Sequence, residues 1–132
     1  MSQPFQPSEP TMIGLSEKAH PLLRRLKEDG HFAEMADAYR FGIALALAHG
    51  VIPDEPTAPR ATIFSVATVD PDREIATAIR TIIDTEGLPV YRWAERLAEW
   101  GVAELARRAE DGDVDVAALL EEAAALSEQG TE

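Results

Sequence analysis

The pattern of apolar and polar positions predicts one strand and two helices in the first part of the chain. Residues 11–15 form a short strand candidate, and apolar residues then recur at helical spacing over residues 17–29. Ser16 is suited to cap this first helix, and Gly30 is suited to end it. The same spacing predicts a second helix over residues 32–49.

The second half of the second predicted helix, residues 41–48, is apolar on every side. A helix of this kind has to be buried all round, and the helix over 17–29 cannot cover it alone. The cover must come from a later part of the chain or from a second copy. We predict that self-association supplies it and buries six apolar side chains of the strand and the second helix: Ile13, Leu15, Phe41, Ile43, Leu45 and Leu47.

Prolines and further helical patterns mark the rest of the chain. Residues 53–60 contain three prolines and are predicted to form a linker. Residues 61–67 are a short apolar, β-branched run, which is either a strand or an extended packing segment. Three helices are then predicted, because apolar positions recur at helical spacing over residues 71–86, 90–110 and 114–127.

The charge of the chain is strongly negative and unevenly distributed. It carries 24 acidic and 12 basic residues, a formal net charge of -12. Residues 61–132 hold 16 acidic and 6 basic residues, whereas residues 1–60 hold 8 acidic and 6 basic residues. The second half should therefore be repelled by nucleic acid and by anionic membranes.

The cysteine count and the hydropathy of the chain predict a cytoplasmic protein. Cysteine is absent, which removes disulfides and thiolate chemistry. No apolar run is long enough to span a bilayer. The first ten residues have neither the positive charge nor the apolar segment of a signal peptide.

No catalytic or metal-binding motif is recognisable in the sequence. The three histidines lie far apart, with no pair at the i, i+4 spacing of a helical metal site, and no glycine-rich phosphate loop is present. Glu95 and Glu99 are four residues apart, but their spacing from Arg92 and Arg96 is that of ordinary helical ion pairs. We therefore expect a protein without enzymatic activity, metal or cofactor.

Two groups of side chains are candidates for contact with a partner. The densest basic patch lies on and just before the first helix: Lys18, Arg24, Arg25 and Lys27. These side chains either form a solvated face or contact a phosphate group or a partner protein. Trp93 and Trp100 lie two helical turns apart on one face, where they either belong to the core or anchor a partner.

The order strand, helix, turn, helix over residues 11–50 resembles a ribbon-helix-helix unit. The resemblance lies in residues 13–16 for the ribbon, 22–26 for the first helix and 39–45 for the second. In that family two chains pair their ribbons and interlock their second helices, which implies a homodimer or higher oligomer. Its repressors read DNA bases with polar or basic ribbon side chains. The corresponding face of this ribbon carries Met12, Gly14 and Ser16.

Residues 15–19, 22–27 and 41–47, together with the later Ile63-Phe64 pair and the helices after it, carry a second resemblance. They are similar to small helical accessory proteins of DNA phosphorothioation (Dnd) systems. This resemblance implies a non-catalytic accessory role in bacterial DNA modification or antiviral defence against phage.

These observations predict a mainly α protein with an N-terminal ribbon-helix-helix-like unit and a C-terminal three-helix lobe. The predicted segments are a flexible tail (1–10), an oligomerisation unit (11–52), a linker (53–60) and an acidic helical lobe (61–132). The favoured function is a non-catalytic, oligomerising adaptor in a bacterial DNA-modification or anti-phage complex, with a protein partner, weak or no DNA binding alone and no membrane contact. The alternatives are a ribbon-helix-helix transcriptional regulator that binds DNA and a small enzyme with an unrecognised carboxylate site.

Overall fold

The computed structural model describes residues 9–56 and 59–112, and beyond them residues 118, 121, 122 and 125. This part of the chain is mainly helical, as predicted, with one small antiparallel sheet. In chain order the elements are β1 (Met12–Ser16), α1 (His20–Glu28), α2 (Met35–His49), β2 (Arg60–Ser65), α3 (Val66–Val69), α4 (Glu74–Ile82) and α5 (Val90–Glu110). Among the described residues, no helix is long and apolar enough to cross a lipid bilayer.

Hydrogen bonds of the turn after β1 and the conformation of Gly50 explain where α1 begins and where α2 ends. The Ser16 hydroxyl accepts a hydrogen bond from the Ala19 N–H at 3.1 Å, while the Glu17 N–H donates to the Pro59 carbonyl at 2.8 Å. This turn delays the regular helix, so that α1 begins later than predicted. α2 ends where predicted, because Gly50 adopts a φ of 69°, a left-handed conformation that glycine reaches without strain.

β1 pairs with β2 of the same chain in an antiparallel, two-stranded sheet. The register aligns Ile13 with Phe64 and is irregular beside Gly14. A Cβ atom at Gly14 would lie 1.8 Å from the carbonyl oxygen of Ala61, so this close approach of the strands requires glycine. The segment 61–67, predicted as a strand or an extended segment, is a strand that gives way to the single turn of α3.

The long helix α5 supplies the cover that α2 requires. The two helices pack against each other, and their backbones meet at Gly42 and Gly101. A Cβ atom at Gly101 would lie 2.0 Å from the carbonyl oxygen of Gly42, whereas one at Gly42 would lie 3.2 Å from the Val102 nitrogen. The absence of a side chain at both positions lets the helices approach closely enough to bury the apolar face of α2.

Of the two sources of cover that the sequence left open, a later part of the chain is the one that the structure shows, because α5 packs on α2. Of the six side chains assigned to self-association, four are buried within one chain and two are half-buried: Ile13, Leu15, Ile43 and Leu45, then Phe41 and Leu47. The side of α2 that remains exposed carries the small residue Ala44. Self-association itself stays a prediction, now without this reason for it.

α4 covers only the middle of the helix predicted over residues 71–86. The Asp70 carboxylate accepts hydrogen bonds from the backbone N–H groups of Ile75 and Ala76, each at 3.0 Å. The Tyr91 hydroxyl donates to the same carboxylate at 2.9 Å. Burial and this hydrogen bond raise the pKa of Tyr91 to about 12, so the phenol keeps its proton and ties the start of α4 to α5.

The three-helix lobe is not confirmed, because α5 packs against α2, α1 and β1 as well as against α4. The third helix of that lobe, predicted over residues 114–127, lies largely outside the described residues. The described positions within it, 118, 121, 122 and 125, are helical.

The two tryptophans of α5 occupy different environments. Trp93 is 6 % exposed, and its indole N–H donates to the Thr85 carbonyl at 3.1 Å. Trp100 is half-buried, with its ring centre 5.6 Å from that of His49. Trp93 therefore fastens the loop after α4 to α5, and Trp100 packs against the end of α2.

The contact between Gly42 and Gly101 predicts unequal effects of alanine at the two positions. We expect Gly101→Ala to destabilise the fold by ~3 kcal/mol, because the new methyl group overlaps the Gly42 backbone, which cannot rotate away. Gly42→Ala meets its neighbours at 3.2 Å or more, and alanine favours helix by about 0.5–1 kcal/mol. We expect its free energy of unfolding to stay within ~1 kcal/mol of wild type. Urea denaturation of both variants measures the difference, and equal losses would contradict the backbone contact.

Candidate functional site

A cleft of about 410 Å³ opens between β1, the first half of α5 and the loops that precede β2 and α5. Its volume lies in the range of small-molecule sites. Its charged lining consists of three arginines and three glutamates: Arg60, Arg92, Arg96, Glu55, Glu95 and Glu99. These side chains come from parts of the chain that lie up to about forty residues apart in sequence, and the packing of α5 on β1 brings them together.

Glu95 organises the inner end of this cleft. Its side chain is buried, and one carboxylate oxygen accepts a hydrogen bond from the Gly14 N–H at 3.0 Å. The other oxygen accepts from Arg92 at 2.8 Å and also from Arg60. A buried carboxylate is stable only when charged partners and hydrogen bonds compensate its lost hydration. Here two guanidinium groups and one backbone amide provide that compensation.

Glu99, one helical turn further along α5, holds the end of β1. Its carboxylate accepts hydrogen bonds from the Ser16 backbone N–H at 3.0 Å and from the Ser16 hydroxyl at 2.6 Å. Glu95 and Glu99 thus bind the amides of Gly14 and Ser16 on β1. The two carboxylates thereby accept hydrogen bonds that a third strand would otherwise accept at this edge of the sheet.

Tyr39 of α2 completes the hydrogen bonding of Gly14. Its hydroxyl donates to the Gly14 carbonyl at 2.9 Å. Burial, and then the carboxylates of Glu95 and Glu99, raise the pKa of Tyr39 well above its usual range. The phenol therefore remains a protonated donor, and both outward backbone groups of Gly14 are satisfied by side chains.

Arg96 is the arginine of the cleft with the weakest ion pair. Its guanidinium carbon lies 4.9 Å from the centre of the Trp93 ring, a cation–π contact that fixes its direction. Its carboxylate neighbour is Glu55, at 4.0 Å, and the Glu55 side chain is 80 % exposed on the loop after α2. An exposed pair at this distance contributes little, so Arg96 is available to an incoming anion.

A second recess of about 410 Å³ adjoins the cleft and shares Leu88 and Arg96 with it. Its lining also includes Ile52, Pro53 and Trp93. Ile52 is 67 % exposed, more than the other exposed large hydrophobic side chains of the described residues. The recess therefore combines apolar side chains with three charged ones, which are Asp54, Glu86 and Arg96.

The predicted basic patch lies away from both the cleft and the recess. Its four side chains are exposed on α1 and the turn before it: Lys18, Arg24, Arg25 and Lys27. Lys27 lies 3.8 Å from the Glu34 carboxylate. Within the described part of the chain, no three histidine, aspartate or glutamate side chains are grouped so that they could hold a metal ion.

The sequence predicted one contact of the cleft and missed the others. The ion pair between Arg92 and Glu95 has the expected i, i+3 spacing. The hydrogen bonds that Glu95 and Glu99 accept from β1 join residues 81 and 83 positions apart. The spacing of neighbouring residues in the sequence does not indicate such contacts. Arg60 was assigned to a proline-rich linker, although it begins β2.

The contacts of Glu95 predict a large loss of stability in Glu95→Gln. The amide offers one acceptor oxygen in place of two, so the Gly14 N–H or the two arginines lose their acceptor, and leaving a buried donor without a partner costs about 1–3 kcal/mol. Urea denaturation should show this loss, while the exposed control Glu17→Gln should stay within ~0.5 kcal/mol of wild type. A loss no greater than that of the control would mean that Glu95 does not hold β1 to α5.

Comparison of the chain with protein-family models, with curated proteins and with solved structures found no match. Its function is therefore inferred from the contacts, burial and charges of its own residues.

Proposed function

We propose that this protein is a non-catalytic adaptor that binds a partner protein through the recess around the exposed side chain of Ile52. The observation that carries the proposal is the exposure of Ile52 beside Pro53 and Leu88, in a recess with a fixed wall. The setting, a bacterial DNA-modification or anti-phage complex, is what the resemblance to Dnd accessory proteins implies.

The recess has the properties of a docking surface for an apolar side chain. A concavity beside an exposed apolar side chain can accept an anchoring side chain of a partner protein. The wall is rigid because the Trp93 indole N–H donates a hydrogen bond to the Thr85 carbonyl at 3.1 Å. The Arg96 guanidinium also makes a cation–π contact with the Trp93 ring. A preformed recess loses little conformational entropy when a partner fills it.

The roles of Glu95 and Glu99 favour binding over catalysis at the neighbouring cleft. Both carboxylates accept hydrogen bonds from β1, and Glu95 also binds two arginines. A general acid or base has to exchange a proton with a substrate, whereas these groups hold the fold together. This supports the adaptor rather than the alternative of a small carboxylate enzyme.

The surroundings of β1 favour an adaptor over a DNA-binding regulator. Gly14 and Ser16, on the ribbon face that would read bases, are buried, and two glutamates lie along their edge. Carboxylates beside a strand repel the phosphates of DNA. With a net charge of -12, we expect the protein to reach DNA only through a partner.

The proposal predicts that Ile52→Glu releases the partner without unfolding the chain. We expect a tagged Ile52→Glu protein to retain at least about tenfold less partner from an extract of the source cells, because a charge would have to enter an apolar contact. Quantitative mass spectrometry of the retained proteins provides the measurement.

Ile82→Glu is the matched control, since Ile82 is also exposed but does not line the recess. It should retain the same proteins as wild type. If the two variants retain equal amounts of every protein, the recess is not the docking surface.

A further inference from the structure

We infer that the cleft between α5 and β1 binds a carboxylate of single negative charge, attached to an apolar body. This site is separate from the docking of a partner at Ile52, although the two surfaces adjoin. Three features of the cleft lead to this ligand: the grouping of its arginines, the balance of its charges and the apolar part of its wall.

The first feature is the convergence of three guanidinium groups in a chain with a net charge of -12. Arg60 and Arg92 both donate to the same oxygen of Glu95, which holds them side by side. Each arginine has five N–H donors, and the hydrogen bonds to Glu95 use one from each. Both side chains remain more than a third exposed at the cleft, so donors remain for a ligand.

The second feature is the charge balance. Arg60, Arg92 and Arg96 contribute three positive charges, and the fixed carboxylates Glu95 and Glu99 contribute two negative charges, which leaves an excess of one. Glu55 is the sixth charged group of the lining, but it is held by a single 4.0 Å contact and can move into solvent. A ligand carboxylate would replace Glu55 on Arg96, whereas a doubly charged phosphate would leave negative charge beside two glutamates.

The third feature is shape. A carboxylate is planar and matches the fork of a guanidinium group, which can bind both of its oxygens. Beside the arginines the cleft is lined by Leu88, Pro89 and Pro56, which can cover an apolar group. A volume of about 410 Å³ accommodates a small organic acid or the last residues of a peptide.

Binding of 4-phenylbutyrate to the full chain tests this inference, with the uncharged 4-phenylbutyramide and inorganic phosphate as comparisons. Titrations followed by ¹H–¹⁵N NMR should show saturable binding of the acid, with shifts at the Gly14 amide and the arginine side chains. The amide and phosphate should each bind at least about tenfold more weakly, since they lack the matched charge. Equal affinity for acid and amide, or no saturable binding of the acid at millimolar concentration, would overturn the inference.

Two variants change the site in opposite directions. Arg96→Gln should weaken binding of the acid about tenfold, because one charged hydrogen-bonding partner is lost. Glu55→Gln should strengthen binding, because it removes the competing carboxylate from Arg96. Arg24→Gln, at an exposed position on α1, is the matched control and should leave the affinity unchanged. Thermal melts establish that each variant is folded, and an unchanged affinity in both cleft variants would contradict the site.

The same carboxylate chemistry occurs in a free organic acid and at the C-terminus of a peptide. A short apolar peptide with a free C-terminus, compared with its amidated form, separates these sources. Tighter binding of the free peptide than of phenylbutyrate identifies a protein terminus as the ligand, and tighter binding of phenylbutyrate identifies a small acid. Ile52→Ser, which removes the apolar side chain without placing a charge near the shared Arg96, should not alter either affinity, so that a failure at this site and a failure of the adaptor proposal can be told apart.

Discussion

The backbone contact between Gly42 of α2 and Gly101 of α5 is the constraint on which the rest of the structure depends. Only a residue without a side chain at position 101 allows the two helices to meet there. Their close packing buries the apolar face of α2 within a single chain and so replaces the cover that a second copy would have to provide. Because the contact fixes where α5 lies, it also determines which residues of α5 face β1.

Those residues are Glu95 and Glu99, and they join the sheet to the helices. Their carboxylates bind the amides of Gly14 and Ser16 at the edge of β1 that β2 leaves open. An unpaired strand edge exposes hydrogen-bonding groups and invites pairing with other chains; here the edge is closed by charged side chains. The same carboxylate of Glu95 gathers Arg60 and Arg92, so one buried charge both stabilises the fold and builds the charged cleft.

The sequence predicts the local structure of this protein better than its long-range contacts. Helical spacing and Gly50 locate α2, and the i, i+3 spacing predicts the pairing of Arg92 with Glu95, because these features depend on neighbouring residues. Local spacing does not indicate that Gly42 meets Gly101, since a glycine within a helix is ordinarily only a destabilising residue. Nor does it indicate that two glutamates of α5 bind a strand more than eighty residues earlier. The cleft consists almost entirely of contacts of this second kind.

The central claim is that Glu95 and Glu99 make β1 part of the α2–α5 core, and that the cleft exists because of this. Native-state hydrogen exchange tests it most directly, because it reports the stability of individual amides. We expect the amides of Gly14 and Ser16 to exchange only when the whole chain unfolds, as slowly as those of Ile43 and Val102 in the packed helices. Fast exchange of the two β1 amides while the helices remain protected would contradict it.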